Sequence, residues 1–461
     1  TELIMMEGSQ YYGGPRGFGL ATQNDVPMAA KAQVVGQAFL GMQMKCARCH
    51  DAPFHSYNQK DLFSMAAMLS RKPVAVPKTS SVPVVPGHKS RVEVSLVPGT
   101  SVKPYWPFKA DELSEPIPSD SRAQLATMIT HGHGERFAEV IVNRVWQRYL
   151  GWGLVEPADD WENAEASHPQ LLKWLAREFL MSGYDLKHVA RLILNSHAYQ
   201  RQVDPAFTMA GEPEDRFFAG PSRRRLSAEQ VVDSLFAVAG KEMGVEPLTL
   251  DVNGRGTVAT FLNLGMPRRA WQFTSLSNER DRPSLAIPKA QSVVDVLQTF
   301  GWRDSRQDAL TRRDDEPNVL QPSALANGIV GRRIAQLSDD SAFTELALRS
   351  IDCRELVRLV YRRVLGRVPT QGELITMNQY LCVSYGNRVI KNAPRVIRQE
   401  KVLDVSWNNH LSEEANRIKV ELEKRVLSGD PPTNRLRSAW RERLEDVVYA
   451  LVNSPEFIFV P

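Results

Sequence analysis

The sequence predicts a mainly α-helical protein: a small N-terminal helical segment, then a large helical domain, with a few short strands. Three observations predict it. Apolar residues recur at helical spacing in long stretches, as in Val35, Phe39 and Met42, or in Phe137, Val140, Ile141, Val145 and Tyr149. Start and stop residues bracket several of these stretches. The chain has 461 residues and is 43% apolar, enough for the cores of two or three domains.

Residues 1–29 are rich in glycine, and Tyr11 to Pro15 is expected as loop. A helix is expected from Ala30 to about Met44, and a second over Lys60–Leu69 with Leu62, Phe63, Ala66 and Leu69 on one face. Seven prolines in residues 71–108 predict an extended linker, with a short strand at Arg91–Val97. From about residue 120 the pattern is mostly helical. The helix through Phe137 stops near Gly151-Trp152-Gly153; the next runs Pro169–Met181, with Gly183 past its end. Asp185 caps the one after. Ser227 to Gln230 has capping-box spacing before Val231–Val238, and Gly240 ends that helix. Residues 241–325 are mixed, with a strand expected around Trp271–Ser275, and helices resume after Pro322. No repeat of fixed period is present.

Charged residues make up 24% and the net charge is +4, which gives no reason to expect a nucleic-acid partner or wholesale disorder. The basic run Arg223-Arg224-Arg225 and the pair Asp159-Asp160 are expected at the solvated surface. No run of about 18 apolar residues exists, so no membrane span is expected. The chain starts at Thr1 without a methionine, and a processed or truncated edge is expected there.

The four cysteines form two separated pairs, Cys46/Cys49 and Cys353/Cys382. The first lies in Cys46-Ala47-Arg48-Cys49-His50, a CxxCH segment that directly follows a predicted helix. Two thiols three positions apart can each add to a vinyl group on one edge of a porphyrin, and the next residue then lies under the iron. On this reading Cys46 and Cys49 hold one covalent haem c and His50 is the proximal iron ligand. Two alternatives stay open: structural zinc, and a redox or structural disulfide. A thioredoxin-like CxxC would need a preceding buried strand, where a helix is predicted. Structural zinc would need two more ligands, and a histidine directly after the second cysteine is too close for ordinary zinc spacing.

The run from Phe39 through Cys46-Ala47-Arg48-Cys49-His50-Asp51 to Gln59-Lys60-Asp61-Leu62-Phe63 resembles a family of large secreted planctomycete proteins of cytochrome c-like character. In that family a CxxCH domain precedes a large helical domain of unknown function. Similar runs follow at Ile141 to Trp146, Gly151 to Pro157, Ser167 to Leu172, Arg225 to Gln230 and Leu451 to Phe457. The resemblance extends over most of the chain and implies export and association with a c-type cytochrome, but no substrate. Many relatives have a histidine two residues after that of the motif, where this chain has Ala52.

The expected organisation is therefore residues 1–105, a cytochrome c-like haem-binding segment with its Pro-rich linker, and residues 106–461, a large helical domain of unknown function. The expected function is electron transfer through the haem, with an unknown redox partner protein, in the periplasm or at the cell surface. The alternatives are a haem-dependent oxidoreductase or a structural or binding component of a cell-envelope assembly or oligomer. Candidates for the sixth iron position are Met68, His88 and His168; His55 is too near His50 to reach the opposite face. Cys353 and Cys382 open and close a predicted antiparallel helix pair at equal distance from its turn, and a disulfide is expected between them.

Overall fold

The computed structural model describes residues 1–9, 14–20, 27–77, 87, 92–108, 117–132, 134–202, 217–220, 224–245, 267–270, 272–273, 288–302, 317–396, 405 and 411–460. The described residues are mainly helical. The chain divides into two compact units, Thr1–Arg223 and Arg224–Val460. The 105/106 boundary expected from the sequence falls inside the first of these.

In the first unit, helices α1 (Glu2–Met5), α2 (Pro15–Leu20), α3 (Pro27–Leu40), α4 (Gln59–Ser70) and α5 (Ser121–Thr127) are followed by α6 (Gly134–Leu150), α7 (Pro169–Met181), α8 (Leu186–Leu194) and α9 (His197–Gln200). Helix α4 starts on a capping box: Asn58 accepts from the Asp61 amide and Asp61 accepts from that of Asn58. It carries Leu62, Phe63, Met65 and Leu69, all fully buried with Val35 and Leu40 of α3 in one core. A second core joins α6, α7 and α8 through Val142, Trp146, Leu172, Phe179 and Ile193.

Two sequence expectations shift here. Helix α3 stops at Leu40 rather than near Met44, because Gly41 takes the left-handed conformation at φ 64°. The strand expected over 91–97 does not form in residues 92–97. The carbonyl of Glu93, the hydroxyl of Ser95 and the amide of Leu96 bond instead to Asp51 and Gln59, so this backbone serves the Cys46–His50 loop rather than a ladder. The strands found here are β1 (Val74–Ala75) and β2 (Ser101–Val102), an antiparallel pair with Val74 opposite Val102.

The second unit holds α10 (Ala228–Ala239), α11 (Pro288–Thr299), α12 (Leu320–Asn327), α13 (Ile329–Ala335), α14 (Ala342–Ala347), α15 (Cys353–Leu365), α16 (Gln371–Leu381), α17 (Glu413–Ser428), α18 (Ser438–Val452) and α19 (Pro455–Ile458). Ser227 and Gln230 form the expected capping box of α10, and Gly240 closes it at φ 65°. Leu235, Leu297, Ile334, Phe343, Val360 and Val448 meet in one core. Arg224–Arg225 form β3, antiparallel to β4 (Phe459–Val460). Arg225 is therefore half-buried beside the Phe300 ring rather than in a solvated turn, because the strand needs its backbone and the ring attracts its guanidinium. Of the expected strand at 271–275, residues 271, 274 and 275 lie outside the described residues; Gln272 and Phe273 are in a helical turn.

Candidate functional site

Beyond Gly41 the chain passes without regular structure to a single 3-10 turn, Cys46–Arg48, in which the amides of Cys49 and His50 both donate to the Cys46 carbonyl. Ala47 is fully buried and anchors the turn in the α3–α4 core, which leaves Cys46 and Cys49 half-buried on its outer side. Both are free thiols. The His50 ring donates from Nδ1 to the Asp51 carbonyl at 2.7 Å. A carbonyl can only accept, so this bond fixes a proton on Nδ1 and makes Nε2 the lone-pair atom of the neutral ring. The Asp51 carboxylate accepts from the Gln59 amide at 2.8 Å and the Ser95 hydroxyl at 2.7 Å, tying the loop to the start of α4.

Both flanks of this loop are held by Ala158–Glu162, more than 100 residues further on. The clasp is itself built on α6: buried Asn143 bonds the amide and carbonyl of Val155, and Glu156 accepts from the Gly153 amide and Gln147. On one flank, Gln37 donates to Asp159 at 2.6 Å, and the Trp161 amide donates to the Gly41 carbonyl at 2.9 Å. Arg136 stacks over the Trp161 ring at 4.4 Å and donates to the Leu40 carbonyl. On the other flank, His55 Nε2 meets Asp160 at 2.8 Å, and the Ser56 amide donates to Glu162 at 2.6 Å. The His55 ring stacks on Tyr57 with centroids 5.2 Å apart.

Burial governs the charges here. It raises the Tyr57 phenol well above its ordinary value, helped by a hydrogen bond to Glu162 and by the charges of Glu162 and Asp160. For Glu162 burial works against ionisation, but hydrogen bonds from Ser56 and Tyr57 and the nearby His55 outweigh it and hold the carboxyl below its ordinary value. Burial also lowers Arg136 and Arg144 and raises Glu139. Asp159 and Asp160 are thus partners of Gln37 and His55 rather than solvated surface carboxylates. The sequence carried no local signal of this, because each partner lies over 100 positions away.

The other expected site residues fall as follows. Met68 is fully buried in the same core as Ala47. His168 occupies the position before α7 without a side-chain capping bond, its Nδ1 3.1 Å from the Ser167 hydroxyl and its ring edge-on to Phe218. His88 lies outside the described residues. Cys353 and Cys382 are joined by a disulfide, with Cα atoms 5.7 Å apart. Among the described residues no three His, Cys, Asp or Glu side chains converge on a position for a cation. No helix among the described residues is long and apolar enough to cross a membrane.

The molecule is thus a mainly helical protein in which a Cys-Cys-His loop is clasped by a segment of the helical region after it. The PSD1 family, described as a protein of unknown function (DUF1553), matches residues 121–381, and the chain belongs to that family. The PSCyt2 family, also described as a protein of unknown function (DUF1549), matches residues 20–73, which contain Cys46, Cys49 and His50. No curated protein and no solved structure matches the chain.

Proposed function

We propose that the chain is a c-type cytochrome that transfers electrons outside the cytoplasmic membrane through one haem c. Cys46 and Cys49 would hold the haem through thioethers, and His50 Nε2 would ligate its iron. The observation that carries this is the state of the three side chains: two free, half-buried thiols on one turn, and a ring whose Nδ1 proton is committed to the Asp51 carbonyl. A haem needs one iron ligand from this loop and two thiols that meet porphyrin carbons, so the three need not converge on a point, whereas a zinc ion would demand that they do. The bound group supplies a one-electron couple. The chain's own part is to fix the ring: the Asp51 carbonyl sets its tautomer, the Asp51 carboxylate pins the loop to α4, and the clasp holds both flanks. Location outside the cytoplasm is supported by the Cys353–Cys382 disulfide, a bond that persists in oxidising compartments.

The test is a haem stain on a denaturing gel together with the intact mass of the protein from an export-competent host. The wild type is expected to retain one haem, and a Cys46→Ala, Cys49→Ala double variant none. A wild-type chain that gives up all its haem to acidified acetone, or holds none, refutes the reading. Carbon monoxide added to the ferrous form then separates electron transfer from oxidase-like chemistry, since a six-coordinate transfer haem resists it.

A further inference from the structure

The Cys353–Cys382 disulfide has the setting of a reactive bond as well as that of a staple. Its two sulfurs stand in opposite electrostatic surroundings. Cys353 is the first residue of α15, a 13-residue helix with Asp352 as N-cap, so it stands at the positive end of the helix. Cys382 is the C-cap of α16, at the negative end of that helix, and its Sγ is 3.4 Å from the Asn378 side-chain oxygen. A thiolate is therefore stabilised at Cys353. At Cys382 a neutral thiol is favoured, because it would have Asn378 Oδ1 to donate to.

The bond is also reachable. Both cysteines are half-buried and line an open hollow of about 660 Å³ with Asp352, Arg354, Arg358 and Asn378. Two guanidinium groups against one carboxylate leave the wall with a net charge of +1. The Asp352 carboxylate is spent on the Glu355 amide, and Glu355 meets Arg358 at 3.4 Å, so Arg354 is the cation best free to draw in an anionic thiolate.

We propose that Cys353–Cys382 is a thiol-exchange site for a dithiol partner, with Cys382 the sulfur attacked and Cys353 the sulfur that leaves. The partner's thiolate forms a bond to Cys382 Sγ as the Cys353–Cys382 bond breaks, and the electron pair leaves on Cys353 as thiolate. The partner's second thiol, losing its proton, attacks the partner's own sulfur of the mixed disulfide. Cys382 departs and takes up a proton, which Asn378 Oδ1 accepts as a hydrogen bond. The Cys353 thiolate takes up the proton that the partner's first thiol gave to solvent, so the partner ends as a disulfide and the chain as two thiols, a balanced two-electron exchange that runs equally in reverse. The positive end of α15 favours the departing thiolate at Cys353, which sets the direction of attack. The inference is independent of what Cys46 and Cys49 carry.

The test uses the full chain without denaturant. It is incubated with graded dithiothreitol, alkylated and mapped by peptide mass, so that each cysteine is counted separately. Cys353 and Cys382 are expected to become alkylated together while the helical circular dichroism is retained. With excess glutathione, the trapped adduct is expected on Cys382. In single variants, Cys353 of C382S is expected to react with a small aromatic disulfide at pH 7 about tenfold faster than Cys382 of C353S. A bond that resists reduction until denaturant is added, an adduct on Cys353, or equal rates in the two variants would overturn the proposal. Should either variant fail to fold, the wild-type reduction and adduct mapping decide alone.

Discussion

At Gly41 one missing methyl group does two jobs. The residue sits at φ 64°, and a Cβ built there would come within 2.8 Å of the Trp161 ring. Gly41→Ala therefore combines left-handed backbone strain with displacement of an indole that caps Arg136. The expected cost is about 1–3 kcal/mol, measured by urea unfolding. A cost within error of zero would mean that the clasp yields freely. A second residue-scale outcome concerns Glu373. Its bidentate bond with Arg367 pulls the carboxyl down to about 2 from its ordinary 4.5. A carboxyl lowered on folding adds stability that is complete above the ordinary value and is lost as pH falls through 4.5 towards 2. Both side chains are about a third exposed, at 35% and 31%, so solvent screening limits the effect to roughly 1 kcal/mol or less. Melting temperature followed from pH 6 to pH 2 should drop less steeply in Arg367→Met than in the wild type.

At the scale of elements, α15 and α16 form the hairpin that the sequence foretold. Gly366 ends the first helix at φ 71°, Thr370 and Glu373 cap the second with a capping box, and the disulfide closes the open end. With the cysteines 29 positions apart, chain-entropy arithmetic assigns the bridge about 3–4 kcal/mol. The double variant Cys353→Ser, Cys382→Ser should lose that much in denaturant titration, and a loss below about 1 kcal/mol would show that the unfolded chain is little constrained. Elements of this kind were legible because their signals are local: Asp185, Ser227 and Thr370 each lie at most three residues from the amides they satisfy. The Cys46–His50 loop was legible for the same reason. Its setting was not. Asp159, Asp160 and Glu162 resemble any polar loop in sequence, and only the fold brings Gln37, His55 and Ser56 to them. The backbone of 92–97 differs from its sequence signal on similar grounds: its β-favouring residues find partners in Asp51 and in Gln59 at the start of α4, some 40 positions earlier.

Across the whole molecule, each unit has core clusters made only of its own residues. The motif loop is held within the first unit by bonds such as that from His55 to Asp160, 105 positions apart. This separation has a consequence in time. At roughly 5–20 residues per second of synthesis, His55 leaves the ribosome about 5–20 s before Asp160 does. During that interval Cys46 and Cys49 belong to a nascent chain whose clasp has not yet been made. Chains arrested before residue 158 are accordingly expected to lose both thiols to alkylation faster than the finished protein, and equal rates would mean that the loop takes its final form unaided. A thiol chemistry that must reach both cysteines would thus meet its most open substrate early in the protein's life, and a closing one afterwards.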